Sequence, residues 1–137
     1  MVSLGRKGGL MPNNLAVFKS VLLIEMDNLV EAIHQLIAAC DEKYKKHAVS
    51  HQVLLENTAF FQKEIMGINR FHKCVTNYDI KEMRDAEDMA RVLKERFASW
   101  VKSHDMPPAL IPLVNLKIDK VLRYVKQEKE TGTESNT

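Results

Sequence analysis

NNLAVFKSVLLIEMDNLVEAIHQLIAACDEKYKK, residues 13–46, decides the fold. At 100° per residue Leu15, Phe18, Leu22, Met26, Leu29, Ile33, Leu36, Ile37, Cys40 and Tyr44 fall in one stripe. An apolar repeat at i, i+3, i+4 and i+7 over so many turns is the signature of an amphipathic helix. Pro12 precedes it and Asn13 or Asn14 suits its N-cap. Lys43, Lys45 and Lys46 complement the negative end of its dipole.

The same period continues outward along the chain. A second helix is expected over 50–75, with Leu54, Phe61, Ile65, Ile68, His72 and Val75 inward. A third is expected over 79–104, capped by Asn77 or Asp79 with Glu82 three residues on. Its inner stripe is Met83, Ala86, Ala90, Leu93, Phe97, Trp100 and Val101. Pro107 and Pro108 stop it and start a fourth helix over 108–128, facing inward through Leu110, Ile111, Val114, Ile118, Val121, Leu122 and Val125. The first boundary carries no Gly or Pro. It is set at 46–50 because no aliphatic or aromatic stripe residue lies between Tyr44 and Leu54, and because an unbroken helix of about 60 residues exceeds the usual length. The alternative is one long helix swapped between two subunits.

Four amphipathic segments with short connections pack most simply as an antiparallel up-down-up-down four-helix bundle, an all-α fold. A chain of 137 residues with 45% hydrophobic content suits one domain. That domain is expected over 13–128, with residues 1–12 as a flexible leader and 129–137 as a disordered tail.

Composition removes several function classes. The net charge is +2 and both signs interleave along the helices. A nucleic-acid binder normally shows a basic stripe, so none is expected as partner. No apolar run approaches the ~18–20 residues of a membrane span, and no signal peptide is legible, so no membrane partner is expected and the cytoplasm is the expected compartment. Cys40 and Cys74 fall near the ends of adjacent helices, roughly 30 Å apart, and cannot pair. Phosphate loops, nucleophile elbows and Cys-x-x-Cys pairs are absent. His72-Lys73-Cys74 lacks the Gly expected after a phosphotransfer histidine. The expectation is therefore no enzyme and no cofactor.

Two surfaces remain as candidates. Val17, Val21 and Ile24 lie opposite the inner stripe of the first helix, which makes its early turns apolar nearly all round. On the fourth helix Leu116 points outward, and Leu113 and Tyr124 flank Lys117 and Lys120. Apolar side chains ringed by Lys suit a partner interface. The chain is thus expected to be a protein-binding adaptor, chaperone-like or assembly subunit that forms a homodimer through its first helix. The alternative is a metal-binding or metal-sensing bundle. There the ends of helices one and three and the start of helix two gather His47, His51 and His104 beside Cys40, Asp41 and Asp105. His72 and His104 are expected on inner faces at opposite poles, which argues against a ligand layer in mid-bundle.

Overall fold

In the computed structural model, secondary structure is described for residues 2–136 and side chains for 14–127. The expected leader and tail therefore lie outside the residues whose side chains are described. Four α-helices follow one another: α1 (Val2–Lys45), α2 (His51–Asn77), α3 (Ala86–Ser103) and α4 (Leu110–Asn136). One short 3₁₀ turn (Ile80–Glu82) sits between α2 and α3. Among the described residues there is no strand.

The break between α1 and α2 falls where the apolar stripe lapses. His47 takes a left-handed backbone, φ 62°. Its N–H donates to the Tyr44 carbonyl and that of Ala48 to the Lys43 carbonyl. Both bonds satisfy carbonyls that a helix end would otherwise leave open. Ser50 then caps α2, its hydroxyl accepting from Val53 N–H at 3.1 Å. A pair of local hydrogen-bonded caps thus performs a reversal for which Gly or Pro is usually needed.

The third helix starts later than the sequence predicts. Asp79 caps only the 3₁₀ turn, accepting from Lys81 N–H. The true cap of α3 is Asp85, which accepts from Asp88 N–H at 2.8 Å, while Asp88 accepts from Arg84 N–H. Arg91, which donates to Asp88, and that Arg84 N–H hold the Asp88 carboxyl below the usual carboxylate range. Two acid-x-x-acid spacings compete here, and the second lies next to the apolar run of α3.

The core draws on all four helices. Phe18, Leu22, Met26, Ile68, Phe71, Met89, Leu93, Leu110, Val114 and Ile118 are fully buried. The stripe of α4 is the one read from the sequence, and that of α1 is buried or half-buried as read from Leu15 to Ile33. Leu36 and Tyr44, expected inward, are exposed because α4 begins only beside the middle of α2 and, among the described residues, nothing covers α1 so far along. On α2 the phase differs: Phe71 is buried, and His72 instead sits at the α1 seam with Nε2 3.2 Å from Asp27 Oδ1. Expecting His72 on an inner face was wrong because the buried line of α2 runs through Glu64, Ile68, Phe71 and Val75, and His72 lies one residue, about 100°, to the side of it. Phe61, Ile65 and His72 run along one flank, and Glu64, Gly67, Phe71 and Val75 along the other. Leu110 packs against the bare backbone of Gly67, so a Cβ there would lie 2.5 Å from Leu110 Cδ1.

Cross-links fix the register. Lys19 Nζ donates to the Tyr78 carbonyl at the end of α2, and Asn57 donates to Cys40 Sγ at 3.5 Å. Glu25 receives Lys117 and Lys120 from α4. Lys94 pairs with Asp119, and Glu87 with Lys126. Along the α1–α2 and α3–α4 pairings one residue number rises as the other falls.

Glu64 is the charged residue that the core takes in. Among the described residues no cation lies within ion-pair distance of it. Burial pushes its carboxyl pKa up. A raised native pKa means the folded chain holds that proton more tightly than the unfolded chain does. This contribution to stability is complete in acid below the ordinary carboxylate range and is lost as pH rises through the raised native value. Denaturant melts of wild type and Glu64→Gln between about pH 3 and pH 7 should show it. The stability of wild type relative to the variant is expected to decline with rising pH. A difference that is flat, or that grows with pH, contradicts the assignment.

Candidate interaction surfaces

Val17, Ile24, Leu116 and Tyr124 are exposed, whereas Val21 and Leu113 are half-buried and pack on the core. Glu25, joined to Lys117 and Lys120, draws this face of α1 alongside the row of α4 that carries Leu113 and Tyr124. Four of the six expected members are thus exposed, and two already serve the fold.

The histidine pole does not form. Among the described residues no three His, Cys, Asp or Glu side chains lie close enough to hold a metal ion. The cause is helix length. Leu110 meets Gly67, so α4 begins beside the middle of α2. The sixteen residues of α2 before Gly67 reach about 24 Å further. His47 and His51 ride on that extension, with the His51 ring tilted against Tyr44 at 5.5 Å. His104 stays at the end of α3, stacked on Trp100 at 4.9 Å. It too is exposed, not inward. One spacing used by di-iron bundles does occur, Glu31-Ala32-Ile33-His34. Both its polar residues are exposed, and the buried stripe passes through Ile33 between them.

No family model, curated protein or solved structure matches this chain.

The same difference in length creates a surface that sequence reasoning missed. Past the start of α4, residues 34–45 of α1 and 51–60 of α2 form a two-helix hairpin. Cys40 is its one buried apolar side chain. Leu36 lies 18 residues, five turns, from Phe18, and Val53 lies 18 residues from Phe71. Each is thus in phase with a fully buried phenylalanine, yet Leu36 is 50% exposed and Val53 37%. Phe60, one turn before the buried Glu64, is 44% exposed. The inner faces of α1 and α2 continue as apolar surface after the helices that cover them have ended. The signal was in the sequence as a mismatch between a long first stripe and two shorter later ones.

A concavity of about 540 Å³ lies between the end of α2, the 3₁₀ turn and α3. Phe97, Trp100 and Tyr78 line it together with the cations Arg70, Lys73 and Arg96. Of the neighbouring helix pairs, α2 and α3 pack against each other least, so this groove marks the open seam of the body.

Proposed function

We propose that this chain is a non-enzymatic protein-interaction module, an antiparallel up-down-up-down bundle that forms a homodimer in the cytoplasm through its α1–α2 hairpin. The observation that carries this is the uncovered inner face bearing Leu36, Val53 and Phe60. Two helices with an apolar face need a second layer. A second copy supplies one of matching length, giving four helices from two hairpins about a twofold axis. Charge favours like meeting like: residues 34–60 hold Asp41, Glu42 and Glu56 against Lys43, Lys45 and Lys46. The falling-against-rising register of the cross-links supports the antiparallel order. Cys40 and Cys74, both free thiols, suit a reducing compartment.

A second reading places the dimer on the outer face of α1, favoured by the exposure of Val17 and Ile24 beside Leu116 and Tyr124. Size-exclusion chromatography with light scattering separates the two. A dimer is expected whose dissociation constant rises about 30-fold or more with Phe60→Asp, the effect of one central anchor of ~2 kcal/mol. Ile24→Asp is expected to leave it unchanged. The reverse pattern moves the interface to the outer face. A wild-type chain that stays monomeric at high concentration rejects both.

A further inference from the structure

We propose that the open seam between α2 and α3 binds a small planar anion, an aromatic ring carrying a carboxylate or a phosphate. Three features of the groove point to that chemistry. Aromatic rings line it: Phe71 meets Phe97 edge-on at 5.1 Å, and Phe97 stacks on Trp100 at 6.1 Å. These rings give the lining an apolar, aromatic character that suits the ring of an aromatic ligand.

Its cations are unspent. Arg70, Lys73 and Arg96 have no carboxylate within ion-pair distance among the described residues, although Asp79 and Glu82 line the same groove. The two guanidiniums turn to rings instead. Arg96 Cζ lies 4.8 Å from the Tyr78 ring centroid and Arg70 Cζ 5.9 Å from that of Trp100. Stacking occupies the face of a guanidinium and leaves its N–H edge for an anion. Three cations against two acids leave the lining positive. Asp79 is in part engaged, since it accepts from Lys81 N–H at 3.0 Å.

Size decides between a small molecule and a peptide. The α2 bank runs from Arg70 to Asn77, about two turns or roughly 11 Å. A stable protein partner needs roughly 800 Å² on each side. A pocket of 540 Å³ falls instead within the usual range for small ligands, roughly 300–1,000 Å³. This site is separate from the hairpin and does not depend on the dimer.

Trp100 is the only tryptophan, so its fluorescence reads the groove directly. The probe is 4-nitrobenzoate, with 4-nitrobenzamide as its neutral counterpart. Saturable quenching is expected with a dissociation constant of about 1 mM or below. Binding of the amide is expected to be at least about tenfold weaker, as is binding of the acid to Arg70→Met and Arg96→Met, because each change removes one charge-assisted hydrogen bond. Helical circular dichroism establishes that both variants are folded, and added salt should weaken the acid without affecting the amide. Competition by phenyl phosphate assigns the anion. Tighter displacement than by benzoate makes it a phosphate, weaker displacement a carboxylate, and both uphold the site. No saturation by about 10 mM, equal binding of acid and amide, or insensitivity to both arginine variants and to salt overturns it.

Discussion

Replacing Phe71 by alanine is expected to remove about 3–5 kcal/mol of folding stability, and replacing His72 by alanine less than about 1 kcal/mol. The two positions are adjacent, so the contrast isolates the facing of α2. Phe71 is 1% exposed and meets Phe97 edge-on, with Ile68 and Val75 buried on either side. Deleting the ring loses its transfer free energy and leaves a cavity bounded by two rigid helices. His72 meets only the exposed Asp27 across the α1 seam and Thr76 along its own helix. Exposed pairs of that kind contribute little. Urea unfolding of both variants checks the pair. Equal losses at the two sites, or a larger one at His72, would mean that α2 is rotated from the packing described.

The second large effect is expected at Gly67. Leucine there should cost about 3 kcal/mol, at the upper end of what overpacking costs, and alanine about 1 kcal/mol. A new Cβ at 2.5 Å from Leu110 Cδ1 must displace a side chain that is itself fully buried. Alanine gains back up to about 1 kcal/mol of helix propensity over glycine, which is why its net loss is smaller. A double-mutant cycle with Leu110→Ala supplies the decisive reading, because shortening Leu110 makes room for the added carbon. Gly67→Ala should then become neutral or stabilising, a coupling of more than about 1 kcal/mol. If both backgrounds lose the same amount, Leu110 is not what Gly67 accommodates. The pair also sets where α4 begins along α2, and so how much of the hairpin stays uncovered.

Which parts of this molecule were legible in its sequence follows from what each signal depends on. The stripe of α4, and that of α1 as far as Ile33, were readable because their apolar residues keep a clean helical period; Leu36 and Tyr44 continue that period beyond the helices that would cover them. Facing on α2 was less so, because Phe60, Phe61, Ile65, Ile68 and Phe71 spread its apolar residues over a wide arc, and His72 lies at the edge of the buried line through Ile68, Phe71 and Val75. The start of α3 was misread because Asp79 and Asp85 are equal as local caps. Only the packing of Ala86, Met89 and Ala90 chooses between them. The expected outer patch of Val17, Ile24, Leu116 and Tyr124 is exposed, since exposure opposite a stripe is a matter of phase alone. The gathering of His47, His51 and His104 failed for a reason of length. Periodicity says which way a residue points and nothing about where along a bundle its helix ends. The cationic groove joins Arg70 and Lys73 to Arg96 across a seam, and no local pattern predicts such a meeting.

The hairpin has a consequence for how evenly the molecule is held together. Its amides share two continuous helices with the body, yet little tertiary packing reinforces them between Leu36 and Phe60. In a single copy this segment should open by local unfolding at a small fraction of the global free energy, so its protons trade with solvent long before those near Phe18 or Phe71. A bound second copy would close that difference. The tip would then be as slow to exchange as the core, and its slowing would track protein concentration where that of the core would not.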